Sequence, residues 1–259
     1  MVAQRLRTIF EEHFYDRGIR YITLTHSEVN HICDSSYDTE RKWNGLSPFG
    51  EEVVAEMNRL GIMVDISHVS DSAFYDVMKI AKAPAIASHS SCRHFRPGWE
   101  RNMSDDMIKL LAKNGGVICI NFGSSFLDTT FAGSWRKSNR EISDHLSRNN
   151  IEEGSDAAEI YRQQYRKSNL LGTVDDIVKH IDHAVNLVGV DHVAFGSDYD
   201  GVTHLPEGAQ DVTGFPNIIY ELLKRDYSEA DIEKICGGNM LRVWSEVEET
   251  AKRLQGASE

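Results

Sequence analysis

The sequence predicts a parallel α/β architecture. Five strand-length apolar runs recur along the 259 residues, and the segments between them carry helical periodicity with recognisable caps. The runs are also apolar almost throughout rather than alternating, which marks strands covered on both faces. Strands that alternate with helices in this way form a parallel sheet.

The first run, IRYITLTH at residues 19–26, is rich in β-branched and aromatic residues. Next comes GLSPFGEEVVAEMNRLG, a helix capped by Ser47, with Pro48 in its first turn and Gly61 as its stop. Val53, Val54, Met57 and Leu60 form its apolar face. The second strand is IMVDISH at residues 62–68. A helix with Phe74, Val77, Met78 and Ala81 on one face follows it, and Pro84 ends that helix. AIASHS at residues 85–90 is the third strand. A helix from Ser104 to a stop at Gly115 leads into the fourth, GVICINF at 116–122.

Residues 128–170 are polar, densely charged and poor in strand signal. Phe131, Trp135, Ile142, Leu146, Ile160, Tyr161 and Tyr165 give them some helical amphipathicity. This stretch reads as an insertion, a lid or substrate wall, between the fourth strand and its helix. That helix opens on a Thr173–Asp176 capping box and closes at Gly189. HVAFGSD at 192–198 is the fifth strand. Two or three helices follow from Pro216, one of them capped by Ser228 and Asp231.

Bulk properties exclude several classes. The composition, 41% hydrophobic and 26% charged, is that of a globular chain, and its length suits a single domain. A net charge of -12 argues against nucleic-acid or anionic-membrane binding. No apolar run is long enough for a membrane span, and the first residues lack a signal-peptide pattern. Cys33, Cys92, Cys119 and Cys236 are scattered without a CxxC pair. They read as free thiols in a reducing, cytoplasmic setting.

The chemistry sits at the strand ends. His26, His68, His89 and Asp198 each close a strand, and Asn121 lies near the end of another. Carboxyl ends of parallel strands build active sites. A lone histidine at a strand end is usually a capping or core residue. Three of them with an aspartate on one rim point instead to a metal or acid–base site, of a kind that suits zinc and similar transition ions. Arg101 and Asn102 precede a helix on the same rim. Arg101 reads either as an exposed loop arginine or as a fork for a substrate carboxylate. Asp200 reads as a turn residue before Gly201. His13, His180 and His183 fall on helices and are expected on solvated faces, while His31, His94 and His145 receive no role.

The blocks RYITLTH, GLSPFG, EMNRLGIMVDISHVS, ASHSS, RNMSDD, GGVICINF, VAFGSDYDGV and GGNMLRV together resemble the membrane (renal) dipeptidase family of zinc peptidases. The resemblance runs from about Leu6 to the C-terminus, outside the insertion. It implies a (β/α)8 TIM barrel with a two-zinc site that hydrolyses dipeptides, including some with a D-residue on the C-terminal side. By position, His68 and His89 resemble the histidines on one zinc. Asp198 resembles the aspartate that ligates the other zinc and handles protons. His26 resembles the histidine at the scissile group, and Arg101, with Asn102 beside it, the substrate-carboxylate clamp. Phe126 departs from members that carry a tyrosine near the substrate. The implied chemistry is attack by a metal-bridged hydroxide, with oxyanion stabilisation by His26 and proton transfer by Asp198.

Only about five of the eight strands are visible. The His-x-Asp pair on a first strand and the Gly-x-Glu-Gly block that the resemblance calls for are not among these residues. The chain therefore reads as a single but partial metallohydrolase domain over residues 1–259, similar to the C-terminal two-thirds of such an enzyme, with the N-terminal strands absent. Weak zinc binding and little peptidase activity are expected of it. An apolar sheet edge and inner face should be exposed, so a homo-oligomer is expected unless another chain covers them. The alternatives are a different barrel metallohydrolase acting on lactones, amides or phosphoesters, and a non-catalytic remnant that binds a partner.

Overall fold

The structure, a computed structural model, describes residues 13–257, without the side chains of Ser134, Trp135, Arg166 and Lys167. The side chain of Trp135, named above in the insertion, lies outside the described residues. Five strands, β1 (Tyr21–Thr23), β2 (Met63–Asp65), β3 (Ile86–Ser90), β4 (Val117–Ile120) and β5 (Val193–Phe195), form one sheet in sequence order. Every neighbouring pair is parallel.

The strands are shorter than their apolar runs. Pairing stops at Thr23, Asp65 and Phe195, three residues before His26, His68 and Asp198. The chain turns there: His68 and Asp198 adopt left-handed backbone, with φ of 71° and 57°. Only His89 lies inside a strand.

Helix α1 (Pro48–Leu60) confirms its sequence signals. Ser47 Oγ accepts from Gly50 N at 2.9 Å, and Gly61, at φ 85°, donates to Met57 O. Val53, Val54, Met57 and Leu60 are buried, each burial stabilising the fold by about 1.5–3 kcal/mol. Helices α2 (Asp71–Ile80) and α3 (Asp105–Lys113) are capped by Ser70 and Ser104. Helix α2 stops at Ile80, four residues before Pro84. A single turn, α4 (Ser124–Leu127), leads into α5 (Ser134–Arg148) and α6 (Asp156–Ser168). These two pair through a small core of Ile142, Leu146 and Ala158, with Ile151, Tyr161 and Tyr165 against it; Ile160 faces out. Helix α7 (Val174–Val188) then returns to the sheet, with Asp176 accepting from Thr173 N. Helices α8 (Phe215–Lys224), α9 (Glu229–Glu233) and α10 (Asn239–Gly256) complete the chain, with Ser228 capping α9.

Strand side chains alternate between two cores. Val64, Ala87, Ile118, Ile120 and Val193 face the core shared with α1, α2, α3 and α7. Met63, Ile86, Val117, Cys119 and Ala194 face the other way, onto Val243 and Val247 of α10. Burial on both faces explains the near-continuous apolarity. It also corrects the expectation of an exposed inner face, because α10 covers that face. Among the described residues no strand pairs with the outer edge of β1, and Ile19 and Tyr21 are exposed.

Gly196 follows β5. A Cβ there would lie 2.5 Å from Ser88 O and 2.7 Å from Cys119 O, backbone atoms of β3 and β4. Gly196→Ala is expected to cost about 1–3 kcal/mol of unfolding free energy, read by urea denaturation. An unchanged urea midpoint would contradict this close approach.

Candidate metal and substrate site

Three imidazoles gather at the carboxyl ends of β1, β2 and β3. The Nε2 atoms of His68 and His89 lie 2.8 Å apart. His26, exposed on the first loop, lies with its ring tilted against that of His68, 4.2 Å between centroids, and contacts Ser27 Oγ through Nδ1 at 2.9 Å. His68 is buried, and its Nδ1 has no hydrogen-bond partner. Burial pushes the His68 pKa down to about 2, with Arg101, His89 and His26 adding to the effect. Burial also lowers the His89 pKa, with Arg101 acting in the same direction and Asp65 and Asp198 opposing. Both shifts favour the neutral ring, the form that ligates a metal.

The two converging Nε2 atoms and the orphaned Nδ1 fit one half of a transition-metal site. Among the described residues, no third metal-capable side chain lies within reach of both histidines. Asp198, grouped with them from the sequence, does not join the two histidines in one such cluster.

Asp198 is held from β4. Asn121 Nδ2 donates to Asp198 Oδ2 at 2.8 Å, and Gly123 N donates to Asn121 Oδ1 at 2.7 Å, which sets the amide's orientation. Gly201 allows the loop to close, since a Cβ there would sit 2.2 Å from Asp198 Oδ1. Asp200 is exposed, as a turn residue should be.

Arg101 is not an exposed loop arginine but only 2% exposed. Its terminal nitrogens donate to Ser90 Oγ and His89 O, both at 2.7 Å, and its Nε has no partner. The guanidinium lies 5.1 Å from the Phe126 ring centroid. Asn102 is buried too, but it ties loops together: its Nδ2 donates to Phe126 O at 2.8 Å, leaving Oδ1 unpartnered.

Sequence reasoning missed an aromatic wall between His68 and Arg101. Tyr37 lies 5.6 Å from His68 and 6.1 Å from Trp99, and Trp99 lies 4.9 Å from Phe126. Tyr37 also engages the Arg101 guanidinium, and Arg96 stacks over Trp99 at 3.4 Å. Tyr37 falls in an irregular polar loop, where no periodicity marks it.

His180 and His183 are corrections. His180 is fully buried, accepting from Cys92 N at 3.0 Å and bonding to Leu127 O at 2.8 Å. His183 Nε2 meets Asp105 Oδ1 at 2.8 Å and stacks on His94, pinning α7 to α3. That trio could hold an ion but shares no residue with the strand-end site. The four cysteines are free, as expected.

Residues 7–258 match the family described as membrane dipeptidase (Peptidase family M19). The chain belongs to that family. A Schizosaccharomyces pombe relative, "Uncharacterized dipeptidase C965.12", is 36% identical over 249 residues, covering 93% of this M19 chain and 50% of its own length. Dipeptidase aclJ of Aspergillus oryzae is 34% identical, over 93% of this chain and 48% of its own. The M19 chain thus spans about half the length of these curated relatives. Among solved structures, it is similar to the probable dipeptidase PvdM of Pseudomonas aeruginosa, with TM-score 0.75 and 28% identity, over 95% of this chain and 66% of that one. It is also similar to a Rhodobacter sphaeroides metallo peptidase liganded with a phosphinate mimic of L-Ala-D-Ala. There the TM-score is 0.69 and the identity 26%, over 90% of this chain and 57% of the other.

Proposed function

We propose that this chain carries the site of a zinc-dependent dipeptidase. The observation that carries the reading is the convergence of the His68 and His89 Nε2 atoms, 2.8 Å apart, beyond β2 and in β3. His68 and His89 would hold one ion and Asp198 would serve a second. Zinc in such a place supplies Lewis acidity and lowers the pKa of water. The chain's own residues supply the rest. Asp198, oriented by Asn121, accepts a proton and returns it to the leaving amine. His26 donates a hydrogen bond to the developing oxyanion. Arg101 and Tyr37 orient the substrate carboxylate, and Phe126 lines the same wall. L-Ala-D-Ala is the natural test substrate, given the mimic bound by the Rhodobacter relative.

Two histidines alone make an incomplete ligand set for a catalytic zinc, which takes three protein ligands. These 259 residues are therefore expected to bind zinc weakly and to turn over slowly. The test is zinc titration and L-Ala-D-Ala hydrolysis for the wild type and His68→Ala. Zinc uptake that His68→Ala abolishes, with turnover far below a longer M19 relative, is the expected result. Uptake unaffected by His68→Ala would remove the metal reading; turnover equal to the relative's would remove the claim of impairment.

A second reading, hydrolysis of amides or lactones without a free carboxylate, is favoured by one observation. Arg101 is only 2% exposed, with both terminal nitrogens already bonded inside the protein. Assays on a lactone panel separate the two readings.

A further inference from the structure

We infer that Asp65 and Ser88 form a relay that presets the tautomer of His89, leaving its Nε2 lone pair bare beside His68. The inference deepens the metal-site reading above and rests on it only for its consequence in metal affinity.

The relay follows from counting protons. Asp65, at the end of β2, is fully buried. Its Oδ1 accepts from Ser67 N and Ser88 N, both at 3.0 Å. Its Oδ2 accepts from Thr23 Oγ1 at 2.5 Å and from Ser88 Oγ at 2.6 Å. A carboxylate offers about four lone-pair sites and no proton, and all four are occupied here by donors. Ser88 has one hydroxyl proton, and it goes to Asp65. Ser88 Oγ also lies 2.6 Å from His89 Nδ1, so it meets that atom as an acceptor. Nδ1 therefore carries the proton, and neutral His89 presents a bare Nε2.

The partner histidine agrees. His68 Nε2 sits 2.8 Å from that bare atom, so it is the donor of the pair. A neutral His68 protonated on Nε2 has an unprotonated Nδ1, and Nδ1 is the buried atom with no partner. The two histidines are thus unequal. His89 is already in its ligating form, whereas His68 would have to tautomerise, its proton moving from Nε2 to Nδ1, before its Nε2 could ligate an ion. A metal-ligating histidine whose other nitrogen bonds an acceptor is the usual second-shell arrangement. Here a serine stands between the ring and the carboxylate. Asp65 spans three strands, touching Thr23 of β1 and Ser88 of β3, so the sheet itself holds the relay in place.

Asp65 and Ser88 are positioning residues, because they act through His89. The test is long-range 1H–15N NMR of the histidine rings in the metal-free protein, with Zn2+ affinity measured by chelator competition. Wild type should show His89 with its proton on Nδ1. Ser88→Ala should lose that signature and bind Zn2+ about 10–100-fold more weakly, while Ser88→Thr, which keeps the hydroxyl, restores both. His89 protonated on Nε2 in the wild type, or an unchanged His89 spectrum in Ser88→Ala, overturns the relay. If the wild type shows the Nδ1 proton but takes up no Zn2+, the relay stands and the metal reading falls. Asp65→Asn is the harsher variant, and Ser88→Ala keeps the test open should it fail to fold.

Discussion

Phe122→Ala is expected to destabilise the protein by about 3–5 kcal/mol, the range for truncating a buried aromatic. Phe122 follows β4 and is fully buried. Its ring meets Phe195, Tyr199 and Phe215 edge-on, at centroid distances of 5.7, 5.9 and 5.9 Å. Those contacts join β4 to the loop after β5 and to α8. Deleting the ring leaves a cavity that rigid strands on either side cannot close. Phe122 also adjoins Asn121, which holds Asp198. The loss should therefore loosen the Asp198 loop as well as lower the urea midpoint. Phe122→Leu, which keeps most of the volume, should cost much less. A cost for the alanine variant below about 1 kcal/mol would contradict this account.

The second large effect is a dependence of stability on pH that His180 creates. Burial lowers its pKa to about 4, against the opposing effect of its bond to Leu127 O. Cys92 N–H occupies Nδ1, so the neutral ring carries its proton on Nε2. Below pH 6.5 the unfolded chain takes up a proton at this residue while the folded chain does not. The unfolded state then binds more protons, so stability falls as pH falls. The contribution is fully present above 6.5 and is lost progressively down to about 4, below which both states are protonated. Across that window the loss is roughly 3 kcal/mol. Unfolding free energies measured from pH 4 to 7 should show this slope, and His180→Gln should flatten it even though it is less stable at pH 7. His68 and His89 act in the same direction, so the difference between the two proteins isolates His180. Parallel profiles would contradict a neutral, buried His180.

These two residues mark the boundary of what could be read in advance. Phe122 ends an apolar run, and its burial was legible in GVICINF. His180 lies on a helix whose periodicity is equally clear, yet its environment was misjudged. Periodicity identifies a helix and its apolar stripe. It does not say that a histidine at the stripe's edge will meet a donor in the turn after β3, Cys92 N, and an acceptor at the end of α4, Leu127 O. Arg101 makes a related point: a cation before a helix reads either as an exposed loop residue or as a fork, and only its surroundings, Ser90, His89 O and Phe126, show that it is buried.

The sequence by itself determined the alternation of strands and helices, the caps at Ser47, Ser104 and Ser228, and the placing of His68 and His89 toward the carboxyl ends of two successive strands. These are local matters of propensity, periodicity and hydrogen bonding within a few residues. Only the tertiary structure decided that α10 covers the second face of the sheet, that Tyr37 and Trp99 wall the space beside His68, and that Asp65 reaches Ser88 across the strands. Each of these depends on which surfaces meet and at what register, and a run of residues carries no record of its neighbours in space. The pairing of Asp65 with Ile86, set by the whole sheet, brings that carboxylate within hydrogen-bond range of Ser88 and so sets the face His89 presents.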